Sequence, residues 1–491
     1  MSEPTPAVDA GRSPRAGERG LVRTQGPLGS GAELLQRLDD PAQGGRRLLD
    51  LWAWQDGDRG GLELLLGAGE ELLWHSMPLP ETLAYPALGH LSAAAAWLES
   101  DLGASGAAHP VPPGDPNPDR ALRGDPVPPL RDVEGTGLFT IPFGPVRSGV
   151  VESMRYDVAT AGEDMIRVAA RPGSKHRALE RRLTEVSLDL VPLVAERIAG
   201  VYSTSVAAAA CRAVESTAGA QVAPEAEAVR VALIELERVF NHLDVLMKLC
   251  DDASLAVGVA QVGILKERVL RLLARSSGHR YGRGVVVLGG VRRGLDWSAL
   301  RQELPRFERD LHRVQRRLLR TNSLLDRFQR TGALRGPAAA ALGAAGPVAR
   351  GSQLPWDARS ERPWPLYREL DVRPAVMADT DVMARFEVRL AEMRESLRLL
   401  GLLVVQGSTP PPPAAVRPDA GRAGVGSAET PEGEWLISAE MGEEGRLRRC
   451  RVRPASILNF ACFEVACRGW VLTDFAFIEH SFGLSIAGRD R

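Results

Sequence analysis

The chain has 491 residues, 44% of them apolar and 25% charged, which suits a soluble globular protein of about two to four domains with proper cores. Its formal net charge of −1 supplies no field for a nucleic acid or an anionic membrane surface, so neither is expected as a partner. The five cysteines (Cys211, Cys250, Cys450, Cys462 and Cys467) form no Cys-x-x-Cys pair, and their odd number argues against a disulfide framework and for a reducing compartment.

Residues 1–30 are polar, rich in Gly and Pro, and read as a disordered tail. The segment 31–108 reads as a small α+β domain. Leu34, Leu35 and Leu38 fit a helix. Arg47 to Trp54, Leu62 to Leu66 and Leu72 to Trp74 fit short strands, and Leu88 to Leu102 fits an Ala-rich helix. From 109 to 136 runs a linker whose stretch His109 to Leu130 holds eight prolines, extended because proline fixes φ. A second domain spans 137–491. It opens with strands at Leu138 to Val151 and Ile166 to Ala170, turning at Ala161-Gly162-Glu163. Helices then dominate. In Ala223 to Leu249 the residues Val229, Leu233, Leu236, Phe240, Leu243 and Met247 recur at helical spacing, and further helices fit Ala256 to Ser276, Trp297 to Arg330 and Asp379 to Val405. Pro410 to Pro413 ends the last, Gly421 to Gly426 reads as a flexible continuation, and strands at Glu434 to Ala439 and Leu447 to Val452 precede a helix at Ile457 to Cys467. The fold class is α+β: a small N-terminal α/β domain, then a mainly helical domain with a small sheet at its entry. The longest apolar run, Leu399 to Val405, is far short of the ~20 residues a membrane helix needs, and no secretory signal opens the chain.

Phosphate-cradling G-x-x-x-x-G-K-[ST] and G-x-G-x-x-G loops are absent, as are G-x-S-x-G and H-E-x-x-H. What stands out is a set of ordered motifs: Gly144-Pro145-Val146-Arg147-Ser148-Gly149-Val150-Val151-Glu152, His176-Arg177-Ala178-Leu179-Glu180, Glu196-Arg197-Ile198-Ala199-Gly200-Val201-Tyr202, Glu235 to Leu243, Gly278-His279-Arg280 with Gly289-Gly290-Val291, Asp381 to Arg385, and Ser481 to Arg491. In this order they resemble the large subunit of energy-converting [NiFe] hydrogenases and the D subunit of respiratory complex I (NADH-quinone oxidoreductase). Trp97 to Gly103, with His109-Pro110, Arg120 and Leu122, more weakly resembles the C subunit of complex I. A fused C/D-like chain of the formate-hydrogenlyase type is therefore expected.

The resemblance also shows what has changed. The hydrogenases hold their metals through E-R-x-C-G-x-C and D-P-C-x-x-C-x-x-R; here the four thiol positions read Ala199, Tyr202, Ser485 and Gly488. Nickel and iron in such a site need soft thiolate ligands, so the expectation is no metal, no hydrogen turnover, and a vacated cavity between the two segments. With the chain ending at Arg491, no peptide is expected to remain for nickel-dependent processing. The resemblance gives Glu152 a proton-relay role, which Glu180, Glu235 and His242 could extend. Tyr202 becomes a candidate hydrogen-bond donor to a quinone, and Arg147, Arg155, His176, Arg197 and Ser485 become candidates for lining its pocket. Arg147 and Arg155 stand where the family has histidines; arginine donates but does not release protons at neutral pH.

A plainer reading stands beside each of these. Glu235, Arg238 and His242 share one helix face and fit an intrahelical salt bridge. His176 and Glu180 fit an i, i+4 pair, Tyr202 a packed aromatic, Arg147 a structural counter-ion, and Ser485 a cap. At the level of the whole protein, the resemblance implies an oxidoreductase subunit that is cytoplasmic and held peripherally on the inner face of the cell membrane through a complex. Its implied neighbours are an iron–sulfur small subunit and multi-spanning antiporter-like membrane subunits. No cofactor is expected to be held by this chain itself, quinone apart; the iron–sulfur cluster would sit in a partner, and NAD would act only at the level of the complex. The alternative is a non-catalytic scaffold within such a complex.

Overall fold

A computed structural model describes residues 21–36, 46–56, 59–89, 91–105, 108–111, 135–147 and 152–491. Most of the expected tail and most of the proline-rich linker lie outside these residues. The fold is α+β, as expected. In the N-terminal part, strands Arg47–Asp56, Arg59–Ala68 and Glu71–Leu79 form an antiparallel meander. Leu21–Gln25 adds in parallel to the last of them, so the expected tail already enters a sheet before residue 30. The near-continuous apolar run Leu62 to Leu66 is explained by burial: Leu62, Leu64, Leu65 and Leu66 are all inaccessible or nearly so. Their cluster also takes in Leu98 of helix Ala93–Ser105 and, from the far end of the chain, Leu436, Ile457 and Leu458. The N-terminal part therefore shares its core with the second domain. Trp97 Nε1 donates to Ile457 O at 2.6 Å, and Asp50 pairs with Arg451 at 3.0 Å across the same contact.

The second domain opens with the antiparallel sheet Phe139–Phe143, Arg155–Ala161 and Asp164–Arg171. The expected single strand to Val151 is thus interrupted. At Gly144 φ is +93° and a Cβ would run into the Met154 carbonyl, so the chain leaves the sheet there; residues 148–151 are outside the described set. Helices Pro224–Asp252, Ala256–Ser277, Trp297–Leu318 and Val382–Gln406 form the body. The expected helix from Trp297 to Arg330 breaks after Leu318 and resumes at Asn322–Phe328.

Two elements escape the sequence pattern. The helix Ser203–Ala218, with its Ala207 to Ala210 run, is buried along most of its length. Across it lies strand Ala423–Thr430, first of the antiparallel set completed by Gly433–Met441 and Leu447–Arg453. The expected flexible stretch Gly421 to Gly426 mostly belongs to this strand. A Cβ on Gly424 or Gly426 would strike the helix backbone at Ala213 or Ala209, so these glycines serve close approach rather than mobility.

Helix Pro224–Asp252 is buried around most of its circumference, charges included. Glu235 contacts Arg238 at 3.2 Å, as the plain intrahelical reading expects, but also Arg359 at 3.1 Å, Tyr367 Oη at 2.6 Å and Ser396 Oγ at 2.6 Å. Arg350, fully buried, reaches Glu392 at 2.7 Å, Glu429 at 3.0 Å and Asp357 at 3.4 Å. His242 Nε2 meets Glu392 Oε2 at 2.8 Å while its Nδ1 accepts from Arg389 at 3.1 Å. Burial costs each ion heavily, and only this mutual satisfaction makes the cluster tolerable. Burial opposes ionisation of Glu392, yet Arg350 and His242 hold its carboxyl well below the usual range.

Glu392→Gln removes the shared anion of Arg350, Arg238 and His242. It should lower the unfolding free energy by about 3–5 kcal/mol in chemical denaturation, whereas Arg181→Ala, which removes an exposed i, i+4 pair, should change it by less than ~0.5 kcal/mol.

Candidate functional site

The segment Glu196–Ser203 precedes the buried helix Ser203–Ala218, and Glu237 of the long helix fixes where that helix begins. Its carboxylate takes the backbone N–H of Thr204 (2.7 Å) and of Ser205 (3.2 Å) together with both hydroxyls, satisfying donors at a helix start from outside the helix. Against this segment lies the last helix, Ile486–Asp490. Ser485 caps it, its hydroxyl accepting from Gly488 N at 3.0 Å.

The clamp between the two segments is Arg177. One end of its guanidinium donates to Arg197 O (2.9 Å), the other to Ile198 O (2.6 Å) and Ala487 O (3.4 Å). Three further contacts secure the tail. Asp490 accepts Gly173 N at 2.9 Å and Lys175 N at 2.8 Å; His176 Nδ1 meets Asp490 O at 2.9 Å; Glu180 accepts Arg491 Nε at 2.7 Å and Val452 N at 2.8 Å. His176 and Glu180 thus each bind the tail separately instead of forming the i, i+4 pair. Burial pushes the Glu180 carboxyl up, but Arg491, Arg451 and the Val452 N–H bring it below its ordinary value, so it serves as an anion here.

The four positions that the resemblance matches to thiols are all buried: Ala199 is 1% exposed, Tyr202 6% and Ser485 4%, and Gly488 is buried as well. Where a vacated cavity is expected, the Trp435 side chain reaches two of the four positions. Trp435 packs edge-on to the Tyr202 ring at 6.2 Å between centroids, and two of its ring carbons lie 2.7 and 2.9 Å from where a Cβ on Gly488 would sit. A hydrogenase-type metal centre does not fit these residues. Ala199 and Gly488 carry no donor, Tyr202 and Ser485 offer hard oxygen, and the indole stands against position 488. Among the described residues no group of three or more His, Cys, Asp and Glu side chains is placed to hold a metal. All five cysteines are free.

The polar groups around the site are committed internally. Tyr202 Oη donates to Gly483 O at 3.2 Å; burial, and then the neighbouring Glu432 carboxylate, push its phenol well above the ordinary range. Glu432 accepts from Trp435 Nε1, Ser456 Oγ and Ser485 N, and burial raises it to about 7 against those donors. Arg147 pairs with Glu479 at 2.7 Å, shares that carboxylate with Tyr156 Oη (2.7 Å), and donates to Glu152 O at 3.3 Å. Glu152 itself is about a third exposed. Its Oε2 accepts Ala487 N at 2.8 Å and its Oε1 lies 3.6 Å from Lys175 Nζ. Two expected pocket residues are elsewhere: Arg155 forms a half-exposed pair with Asp157 (2.9 Å), and Arg197 points outward, holding Glu196 at 3.0 Å. The alternation of the strand Arg155–Ala161 turns Arg155 away from buried Tyr156, which neither motif nor composition signals.

Sequence reasoning missed Trp435, Glu432, Glu237 and Arg389. Two of them had a signal: Glu237 lies inside the Glu235 to Leu243 motif, and Arg389 is a second arginine one turn after the Asp381 to Arg385 motif. It donates to Ser481 O and Phe482 O at 3.0 Å, tying the buried charge cluster to the turn that Tyr202 also holds.

Fold and site together define an α+β chain in which the segment 196–203 and the tail 481–491 meet on a buried, internally hydrogen-bonded contact. The family profile described as "Respiratory-chain NADH dehydrogenase, 49 Kd subunit" matches residues 253–410. The chain is 31% identical to the NADH-quinone oxidoreductase D 1 subunit of Roseiflexus sp. (strain RS-1), over 72% of this chain and 99% of that one. It is 29% identical to the membrane-bound hydrogenase subunit alpha of Pyrococcus furiosus, over 72% of this chain and 87% of that one. To formate hydrogenlyase subunit 5 of Escherichia coli (strain K12) it is 26% identical, over 72% of this chain and 63% of that one. The chain belongs to the family of NADH-quinone oxidoreductase D subunits, whose relatives include these hydrogenase subunits.

His242 is neutral in the fold, because burial holds it down to about 4. An imidazole whose pKa is lower folded than unfolded takes up its proton first on unfolding. Its contribution is therefore complete above the ordinary value of about 6.5 and is lost as pH falls toward 4. Urea denaturation between pH 7 and 4 should show this decline, and His242→Asn should flatten it.

Proposed function

We propose that this chain is the central large subunit of a membrane-associated, complex I-like or hydrogenase-like oxidoreductase assembly, and that it acts there as a scaffold whose former metal site is closed. The observation that carries this reading is the commitment of the site's own groups. Tyr202 Oη is hydrogen-bonded to Gly483 O, Arg147 to Glu479, and the indole of Trp435 stands against Tyr202 and Gly488. The partners are an iron–sulfur small subunit and multi-spanning antiporter-like membrane subunits. Electrons would pass through clusters in the partner, and NAD, where it is used, would act elsewhere in the complex. No helix among the described residues is long and apolar enough to cross a membrane, so contact with the bilayer would come through those partners.

One observation favours a second reading, quinone or proton transfer along this wall. Glu152 reaches solvent on one side while its Oε2 holds the tail at Ala487 N, the position of a carboxylate that could pass protons inward.

The complex should be purified from its host and assayed for nickel, iron and quinone reduction, with Glu152→Gln and Tyr202→Phe alongside. The scaffold reading predicts no nickel, and partner subunits that co-purify equally with both variants. Any quinone turnover should be changed less than about twofold by either, since no proton-transfer step would run through them. A loss of about 100-fold or more in Glu152→Gln with assembly intact would replace the scaffold reading with the second.

A further inference from the structure

We propose that Trp435 is an internal plug standing in the volume between the two former ligand segments, and that Gly488 is glycine because of it. The identity of positions 199, 202, 485 and 488 as former ligand sites rests on the family reading above; the packing itself does not.

Trp435 sits on strand Gly433–Met441, whose residues are buried on both faces, so its side chain must be accommodated inside. It is among the largest fully buried side chains in the molecule. The ring contacts both segments, meeting Tyr202 edge-on and lying over Gly488. Its one polar atom is satisfied by Glu432 Oε1, and the other oxygen of the same carboxylate accepts Ser485 N at 3.1 Å. Ser456 Oγ accepts from Ser485 N as well, at 2.8 Å, so the tail is fastened to the plug's own support. Glu432 thus links strand, plug and tail.

Gly488 provides the test. It lies within the helix Ile486–Asp490 and is not among the glycines with positive φ, so its backbone suits any residue. In a helix interior alanine is ordinarily preferred over glycine. Here the added methyl would come within 3 Å of the indole, closer than a carbon contact allows, and also 3.0 Å from Ser485 Oγ. Removal of the ring relieves the two closest approaches and leaves that to Ser485 Oγ.

The experiment is a double-mutant cycle by thermal denaturation of the full-length chain in its complex: wild type, Gly488→Ala, Trp435→Ala and the double variant. Gly488→Ala should lower Tm by about 2 °C or more in the presence of Trp435, and should leave it unchanged or raise it on the Trp435→Ala background. Equal shifts on both backgrounds would overturn the proposal. Should Trp435→Ala not accumulate, Trp435→Leu supplies the same cycle. Independently, free indole added to the Trp435→Ala complex should raise its Tm saturably and leave wild type unmoved; an equal response in both would also overturn the plug. Nickel found in the purified complex would defeat the family-based reading of the site without altering the outcome of the cycle, so the two failures are separable.

Discussion

The structure depends on one contact between distant parts of the chain: the carbonyls of Arg197 and Ile198 and that of Ala487 meeting on the guanidinium of Arg177. These segments lie far apart in sequence, and closing so long a loop carries an entropic cost that something in the native state must offset. In the metal-binding relatives the resemblance assigns that role to thiolate–metal bonds. Here it is distributed over charge-assisted hydrogen bonds, each worth more than a neutral one because one partner is ionised. Arg177 holds carbonyls, Asp490 holds the backbone N–H groups of Gly173 and Lys175, and Glu180 holds Arg491. Glu432 and Trp435 complete the contact from beneath.

Behind this contact the interior is ionic to an unusual degree. Arg238, Arg350 and Arg359 face Glu235, Asp357, Glu392 and Glu429, all buried, and burial raises the Glu429 carboxyl to about 7. Such a cluster is weak evidence for stability in itself, since apolar packing of equal volume often does as well. Its evident effect is on geometry. A planar guanidinium with fixed donors tolerates few arrangements, so five separate elements are held in one register. Arg389 extends that register to Ser481 and Phe482, and Tyr202 meets the same turn at Gly483. The site is therefore an outgrowth of the core rather than a cleft set upon it.

Long-range pattern was legible in the sequence where it coincides with one-dimensional spacing. The helices from Ala223 to Leu249 and Ala256 to Ser276, the turn at Gly162, and the strands near 434–439 and 447–452 fall close to where apolar periodicity and turn residues put them. The meeting of residues 197–202 with the tail was legible only through resemblance, because no local pattern encodes a contact across the chain. What misled was the ordinary meaning of residue types. Gly424 and Gly426 look flexible but allow a strand to lie against a helix. Arg155 looks like a pocket residue, yet strand alternation turns it outward. Glu235, Arg238 and His242 read as an intrahelical salt bridge; Glu235 and Arg238 do pair, but all three are buried and take further partners from elements remote in sequence. Trp435 carried no signal at all: a tryptophan in a buried strand says nothing about which volume it fills.

The central claim is that a pocket of this family has been filled by protein instead of being left empty. The most direct measurement is an experimental density map of the assembled complex at side-chain resolution. The Trp435 indole is expected between Tyr202 and Gly488, its Nε1 on Glu432, with Arg177 bridging the two segments. An indole turned out of that space, with density for a metal or a quinone headgroup in its place, would contradict it.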